Sequence, residues 1–100
     1  MKIPNKIRIG GMELNTEFCE NLNGRYAETC IGAGYIKITK SFQGLQHSES
    51  SMNNSYIHEV THAILDTMGK TELSSDEVFV SSFAGYMTEF VYQLLDAQKE

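Results

Sequence analysis

The sequence predicts an α+β fold, in which a small, mostly antiparallel sheet of about three strands precedes two helices. Short segments of alternating apolar and polar residues, separated by glycine and asparagine, fill the chain before residue 41. After residue 55, apolar residues instead recur at helical spacing. A chain of 100 residues, 41% of them hydrophobic, is expected to form one domain, residues 1–100, around a modest core.

The strands are predicted from side chains that alternate between two faces. They are expected at residues 6–9, at 12–15 with an extension toward Phe18, at 25–31 and at 35–40. Gly10-Gly11 indicates a turn, and Asn23-Gly24 indicates a hairpin. The segment 35–40 has the clearest alternation.

The first helix is predicted to follow a polar segment, residues 41–54, that begins as a loop. Serine is a favourable N-cap, so we expect this helix to begin near residues 48–51 and to end at Gly69. A short connector, residues 70–75, then leads to a second helix over residues 76–98. An apolar stripe on the second helix is expected to pack on the first: Val80, Phe83, Ala84, Met87, Phe90, Val91, Leu94 and Leu95. The last turns of this helix also offer a surface for a homodimer.

The motif H-E-x-x-H occupies residues 58–62 within the first predicted helix. Residues one helical turn apart lie on the same face, so His58 and His62 can direct two imidazoles at one ion. Glu59, beside them, is then placed to hold the attacking water as the catalytic base and does not itself bind the metal. The pattern predicts a hydrolytic Zn²⁺ site.

A catalytic zinc ion commonly takes three protein ligands, so a third is expected outside the motif. No histidine follows the motif, which leaves a carboxylate near the start of the second helix. Glu77 is favoured because it begins the apolar stripe that should face the first helix. Asp76 and Glu72 remain alternatives, and Ser74 with Glu77 also fits a capping box that would close the helix N-terminus.

Residues 56–66 and 76–84 together resemble the gluzincin metallopeptidases. They are most similar to the minimal single-domain members (minigluzincins) and to related phage-type peptidases, whereas residues 6–40 match only as a strand pattern. The resemblance implies a minimal zincin-like fold, in which a short sheet precedes an active-site helix and a C-terminal glutamate helix.

The resemblance also implies that His58, His62 and Glu77 bind Zn²⁺ and that Glu59 is the general base. Gluzincins often carry a carboxylate one turn beyond the ligand glutamate, where it orients a histidine. Ser81 stands at that position in this sequence.

The predicted function is zinc-dependent hydrolysis of peptide bonds in a peptide or protein substrate. The strand at residues 35–40 is expected to hold an extended substrate along its edge. Gluzincins also supply a histidine or tyrosine to stabilise the oxyanion, and the candidates here are His47, Tyr56, Tyr86 and Tyr92. The alternatives are a zinc-binding or protein-interaction module of a phage or mobile element with little or no catalysis, and a metal-free helical interaction protein.

Composition excludes several classes of function. The net charge of -5 argues against a nucleic-acid partner, and no apolar run is long enough for a membrane span. The N-terminal residues lack the apolar core of a signal peptide, so we expect a cytoplasmic protein. Cys19 and Cys30 are accordingly expected to be reduced, buried thiols.

Overall fold

The structure, a computed structural model, describes residues 1–99 and is α+β, as predicted. Within these residues the strands precede the helices. The strands are β1 (Lys6–Ile9), β2 (Met12–Cys19), β3 (Ala27–Cys30), β4 (Tyr35–Thr39), β5 (Ser41–Phe42) and β6 (Leu45–Gln46). The helices are α1 (Glu49–Thr67), α2 (Thr71–Ser74) and α3 (Glu77–Gln98).

The main sheet has four strands in the order β1-β2-β4-β3, one more than the predicted total of about three, and it is mostly but not wholly antiparallel. The β1–β2 and β3–β4 pairs are antiparallel, but β2 and β4 at the centre run parallel, with Asn15 opposite Tyr35. Side-chain alternation locates strands along a chain, but it does not determine which strands become neighbours. The sheet is therefore mixed.

The Asn23-Gly24 turn forms, but it does not join neighbouring strands. Both residues have positive φ, 55° and 85°, and the Arg25 N–H donates to the Leu22 carbonyl across the turn at 3.2 Å. The chain then crosses over, because β4 lies between β2 and β3. The predicted hairpin is wrong for this reason.

The crossover also decides which strand borders solvent. β4 is paired on both sides, so the expectation that residues 35–40 offer a substrate-binding edge is wrong. In the described part of the chain, β1 and β3 are the outer strands. The polar segment over residues 41–54 begins with the β5–β6 hairpin where a loop was expected, and α1 then starts within residues 48–51 as predicted.

The core lies between the sheet and α1. Its buried members come from β2, β4 and α1: Leu14, Ile36, Ile38, Tyr56 and Ala63. Tyr56 and Ala63 flank the H-E-x-x-H motif on both sides, and their burial fixes the rotation of α1 about its own axis. Apolar packing on either side of the motif thus sets where its polar side chains point.

Both ends of α1 agree with the sequence. Ser48 is the N-cap, and its hydroxyl accepts the Ser51 N–H at 3.1 Å. At the other end Gly69 has φ 78°, and the Lys70 N–H donates to the Leu65 carbonyl at 2.8 Å, as in a Schellman motif. The motif histidines therefore lie well inside a helix with defined ends.

The helix α3 packs against α1 through one narrow face. Val80, Ala84 and Thr88 are its buried residues, and polar bonds join Asn53 to Tyr92 and Asn54 to Thr88. The predicted stripe is only partly buried, because several of its members are substantially exposed: Phe83, Phe90, Leu94 and Leu95. The expectation that the whole stripe packs on α1 is therefore wrong.

Cys19 and Cys30 are free thiols, as expected, but both are half-buried rather than buried. None of the helices within residues 1–99 combines the length and apolarity that a membrane span requires.

Candidate metal centre

The helix α1 places His58 and His62 one turn apart, with their Nε2 atoms 3.2 Å from each other. Both imidazoles are largely buried, with side chains 21% and 16% exposed. Two ring nitrogens at this distance need a proton or a cation between them, because two lone pairs would repel.

Glu77, the first residue of α3, completes the group. Its carboxylate reaches both histidines, with Oε2 3.2 Å from His58 Nε2 and Oε1 3.1 Å from His62 Nε2. The N-cap of α3 is Asp76, whose Oδ1 accepts the Phe79 N–H at 3.1 Å. The capping box of Ser74 and Glu77 is therefore absent at this helix start, and the carboxylate of Glu77 is directed at the imidazoles.

The alternative ligands lie elsewhere. Asp76 is engaged in the cap of α3, and Glu72 is an exposed residue of α2. Among residues 1–99, the one group of three or more histidine, cysteine, aspartate or glutamate residues whose ligand atoms converge is His58, His62 and Glu77.

The spacing of these donor atoms fits a zinc ion. Zinc bonds of about 2.0–2.1 Å in a tetrahedron separate neighbouring donor atoms by roughly 3.3–3.4 Å. The Nε2 atoms of His58 and His62 are 3.2 Å apart, and each lies 3.1–3.2 Å from a different carboxylate oxygen of Glu77, values close to that separation. Two imidazoles and one carboxylate also form a donor set that catalytic zinc sites use. Protonated imidazoles that donate to the Glu77 carboxylate would also bring these atoms close, so metal titration separates the two cases.

Ser74 orients one of the histidines. Its hydroxyl lies 3.0 Å from His62 Nδ1, and Ser74 is only 5% exposed. When Nδ1 carries its proton toward this hydroxyl, Nε2 presents a lone pair to the other donors. Ser81, where gluzincins often place an orienting carboxylate, is exposed. The support for His62 thus comes from α2, and sequence reasoning missed it because Ser74 was considered only as a cap.

Glu59 is buried beside the histidines, with 7% of its surface exposed. The Thr29 hydroxyl, on β3, donates to Glu59 Oε1 at 2.6 Å. Burial raises the pKa of Glu59, while the Thr29 hydroxyl and the two nearby imidazoles act in the opposite direction. Thr29 was not predicted, since only the docking of β3 against α1 brings it to the motif.

A cleft of about 800 Å³ opens over this cluster. One wall is α1, along which polar side chains repeat at helical spacing: Ser51, Ser55, His58, His62 and Asp66. The other wall is β3 and the turn before it, residues 24–29. The spacing of these polar residues is visible in the sequence. Ser51, Ser55 and Asp66 were not predicted as cleft residues, but their helical spacing from His58 and His62 is the signal that could have identified them.

The predicted oxyanion candidates do not line the cleft described by residues 1–99. His47 is buried, donates from Nδ1 to the Thr39 carbonyl at 2.7 Å, and accepts the Ser51 hydroxyl at Nε2 at 2.8 Å. Tyr56 belongs to the core.

The two remaining tyrosines lie on α3. The Tyr92 hydroxyl accepts from Asn53 Nδ2 at 2.8 Å, and Tyr86 is exposed away from α1. The residues that do reach the cleft are Arg25 and Tyr26, which sequence reasoning did not single out. The Arg25 guanidinium pairs with Glu28 at 2.7 Å.

Comparison of the chain with family models, with curated proteins and with solved structures gave no match. The resemblance to gluzincins therefore rests on residues 56–66 and 76–84, and function has to be argued from the arrangement of the side chains in these segments.

Proposed function

We propose that the chain is a zinc-dependent metallopeptidase of minimal, zincin-like architecture, similar to the gluzincins. The observation that carries the proposal is the triangle of residues His58, His62 and Glu77, in which the two Nε2 atoms are 3.2 Å apart and each lies 3.1–3.2 Å from a different carboxylate oxygen of Glu77. A buried carboxyl, Glu59, lies next to this triangle and is not one of its corners. A purely structural zinc site has four protein ligands and no use for such a base.

The roles of the residues follow from this arrangement. His58, His62 and Glu77 would hold zinc, which supplies a Lewis acid for the scissile carbonyl and lowers the pKa of water. Glu59 takes the proton of the attacking water and passes it to the leaving amine. The Thr29 hydroxyl donates a hydrogen bond to Glu59 Oε1, which leaves Oε2 to accept the proton of the attacking water. The raised pKa of Glu59 brings the carboxylate closer to the strength that suits proton transfer near neutral pH.

The outer strand β3 supports a peptide or protein as the substrate. It forms one wall of the cleft, its Thr29 side chain contacts Glu59, and one of its backbone edges is unpaired within the main sheet of the described residues. An extended peptide adds to such an edge through main-chain hydrogen bonds, which favours a peptide or protein substrate. Arg25 and Tyr26, at the start of the same wall, are the side chains best placed to contact it.

Zinc-reconstituted wild-type protein and Glu59→Gln should be incubated with a peptide library in ¹⁸O-labelled water. We expect new carboxyl termini that carry the label in the wild type. The glutamine variant keeps zinc, and its cleavage rate should fall by about 10²–10⁴-fold because the base is lost. Equal cleavage by both proteins would assign the activity to a contaminant and refute the proposal.

The alternative is a zinc-binding or interaction module without catalysis, of the kind a phage or mobile element encodes. The exposed apolar residues of α3 favour an interaction role. Stoichiometric zinc in the wild type without any labelled product would support this alternative against the peptidase.

A further inference from the structure

The helix α3 has a second apolar face that is largely exposed and is separate from the buried face of Val80, Ala84 and Thr88 that packs on α1. Its members, here called the aromatic stripe, are Phe79, Phe83, Tyr86, Phe90 and Leu94, with exposed fractions of 36%, 43%, 76%, 52% and 47%. We propose that the aromatic stripe binds a second copy of the chain and forms a two-fold symmetric dimer. This proposal stands apart from the proposed peptidase, because it requires neither the metal nor Glu59.

The aromatic stripe follows one line along the helix. Its members are three or four residues apart, the spacing that keeps side chains on a single face and forms the seam of paired helices. Between Phe79 and Leu94 the line is roughly 22 Å long at 1.5 Å per residue. The rings of Phe79 and Phe83 stack with their centroids 5.8 Å apart, so the first turns already present a joined aromatic surface.

The charge distribution favours self-association at this face. The chain carries a net charge of -5, so two copies repel each other at most orientations. Between residues 78 and 95 the only charged residue is Glu89. A contact through α3 is therefore the approach that brings few like charges together.

The available area is sufficient for a stable pair. A fully buried aromatic side chain covers about 150–250 Å², so the exposed fractions leave roughly 500 Å² of apolar surface on each copy. Two copies then bury about 1,000 Å², near the lower limit of specific interfaces. An apolar patch of this size is also at the upper end of what monomeric proteins leave in water.

The arrangement of the aromatic stripe fits its own copy. Phe79 and Phe83 lie on one side of Tyr86, and Phe90 and Leu94 lie on the other. A two-fold rotation near Tyr86 therefore sets two antiparallel α3 helices with apolar residues against apolar residues. A different partner would have to supply a matching stripe, whereas a second copy already has one.

Sedimentation velocity of the metal-free protein over a wide range of concentration tests the dimer. We expect a dimer for the wild type and a monomer for the double variant Phe83→Glu/Phe90→Glu, whose dissociation constant should rise at least about 30-fold. The matched control is Leu45→Glu on β6, which changes an apolar residue that is 74% exposed and far from α3 in sequence. The control should stay dimeric.

A wild type that remains monomeric at the highest concentration would overturn the proposal and leave the stripe to another partner. A double variant that still dimerises would overturn it as well. Should circular dichroism show that the double variant is unfolded, Tyr86→Glu replaces it, since Tyr86 is the most exposed member of the stripe. A folded Tyr86→Glu protein that is monomeric supports the dimer, and one that is dimeric refutes it.

Discussion

Glu59 is buried, so its negative charge is expected to lower the stability of the folded, metal-free protein. Burial raises its pKa above the value of the unfolded chain, so the native state binds the proton more tightly than the unfolded state does. The stability linked to this proton is present below the unfolded pKa and is lost as pH rises through the folded pKa. At neutral pH the buried carboxylate therefore destabilises the metal-free fold.

Replacing Glu59 with glutamine should consequently stabilise the metal-free protein. Thermal unfolding at about pH 7 should show a higher midpoint for Glu59→Gln than for the wild type, and the difference should shrink toward about pH 4 as the wild type takes up its proton. Glu89→Gln, at an exposed position of α3, is the control and should show neither effect. A Glu59→Gln midpoint below that of the wild type at neutral pH would contradict this explanation.

Ser74 is expected to set the affinity for zinc without binding it. Removing the hydroxyl in Ser74→Ala leaves His62 Nδ1 without its partner, and loss of such support commonly costs about 10–100-fold in metal affinity. Competition with a chromogenic chelator measures this change. Ser75→Ala removes the neighbouring hydroxyl, which bonds to the Thr71 carbonyl, and should leave the affinity unchanged. Equal zinc affinities for Ser74→Ala and Ser75→Ala would show that Ser74 does not support the metal site.

At the residue scale, the sequence identified the site residues that lie within one helix or at the start of the next. The pattern of residues 58–62 placed two imidazoles on one face, and the apolar stripe of α3 pointed to Glu77. Thr29 and Ser74 were missed, because their contacts depend on how β3 and α2 dock on α1. No pattern within one segment carries that information.

At the start of α3 the capping residue and the proposed zinc ligand occupy neighbouring positions, Asp76 and Glu77. Asp76 accepts the Phe79 N–H, and its loss in Asp76→Ala should cost about 0.5–2 kcal/mol of stability. Zinc stoichiometry should nevertheless be retained, whereas Glu77→Ala should lose the metal. Asp76→Ser, which preserves a cap, should restore most of the stability. Loss of zinc in Asp76→Ala with its fold intact would make Asp76 the ligand.

At the scale of elements, α1, α3 and the positions of the four main strands were predicted well, but α2 and the pairing of the strands were not. Local residues determine where a helix begins and ends, and for α1 these residues are Ser48 and Gly69. The parallel pairing of β2 with β4 is a contact between segments far apart in sequence, and it places β3 at the cleft. β4 has the stronger strand pattern and was expected to offer the substrate-binding edge. The outer strand next to Glu59 is instead β3.

For the whole molecule, zinc should act as a stabilising ligand, because the proposed ligands come from two helices, α1 and α3, which a bound ion would hold together. At free zinc about 100 times the dissociation constant, a native-state ligand adds about 2.7 kcal/mol to the free energy of unfolding. Wild-type protein should therefore unfold at a higher temperature with zinc than with chelator. His62→Ala should show no such difference, and an equal shift in this variant would place the zinc elsewhere.

The exposure of α3 could not be predicted from the stripe of apolar residues alone. The helix packs on α1 and not on the sheet, so one narrow face is covered while Phe83 and Phe90 remain in contact with solvent. Helical spacing identifies an apolar face, but only the number of layers in the fold determines whether something covers it. The same exposure motivates the proposed dimer.

The central claim is that His58, His62 and Glu77 form a zinc site, and metal content tests it most directly. Mass spectrometry of protein prepared without chelator or affinity tag should find about one zinc per chain in the wild type and in Glu59→Gln, and none in His62→Ala or Glu77→Ala. Full zinc affinity in Glu77→Ala would show that the third ligand lies elsewhere. A wild type that binds no zinc after reconstitution would contradict the claim itself.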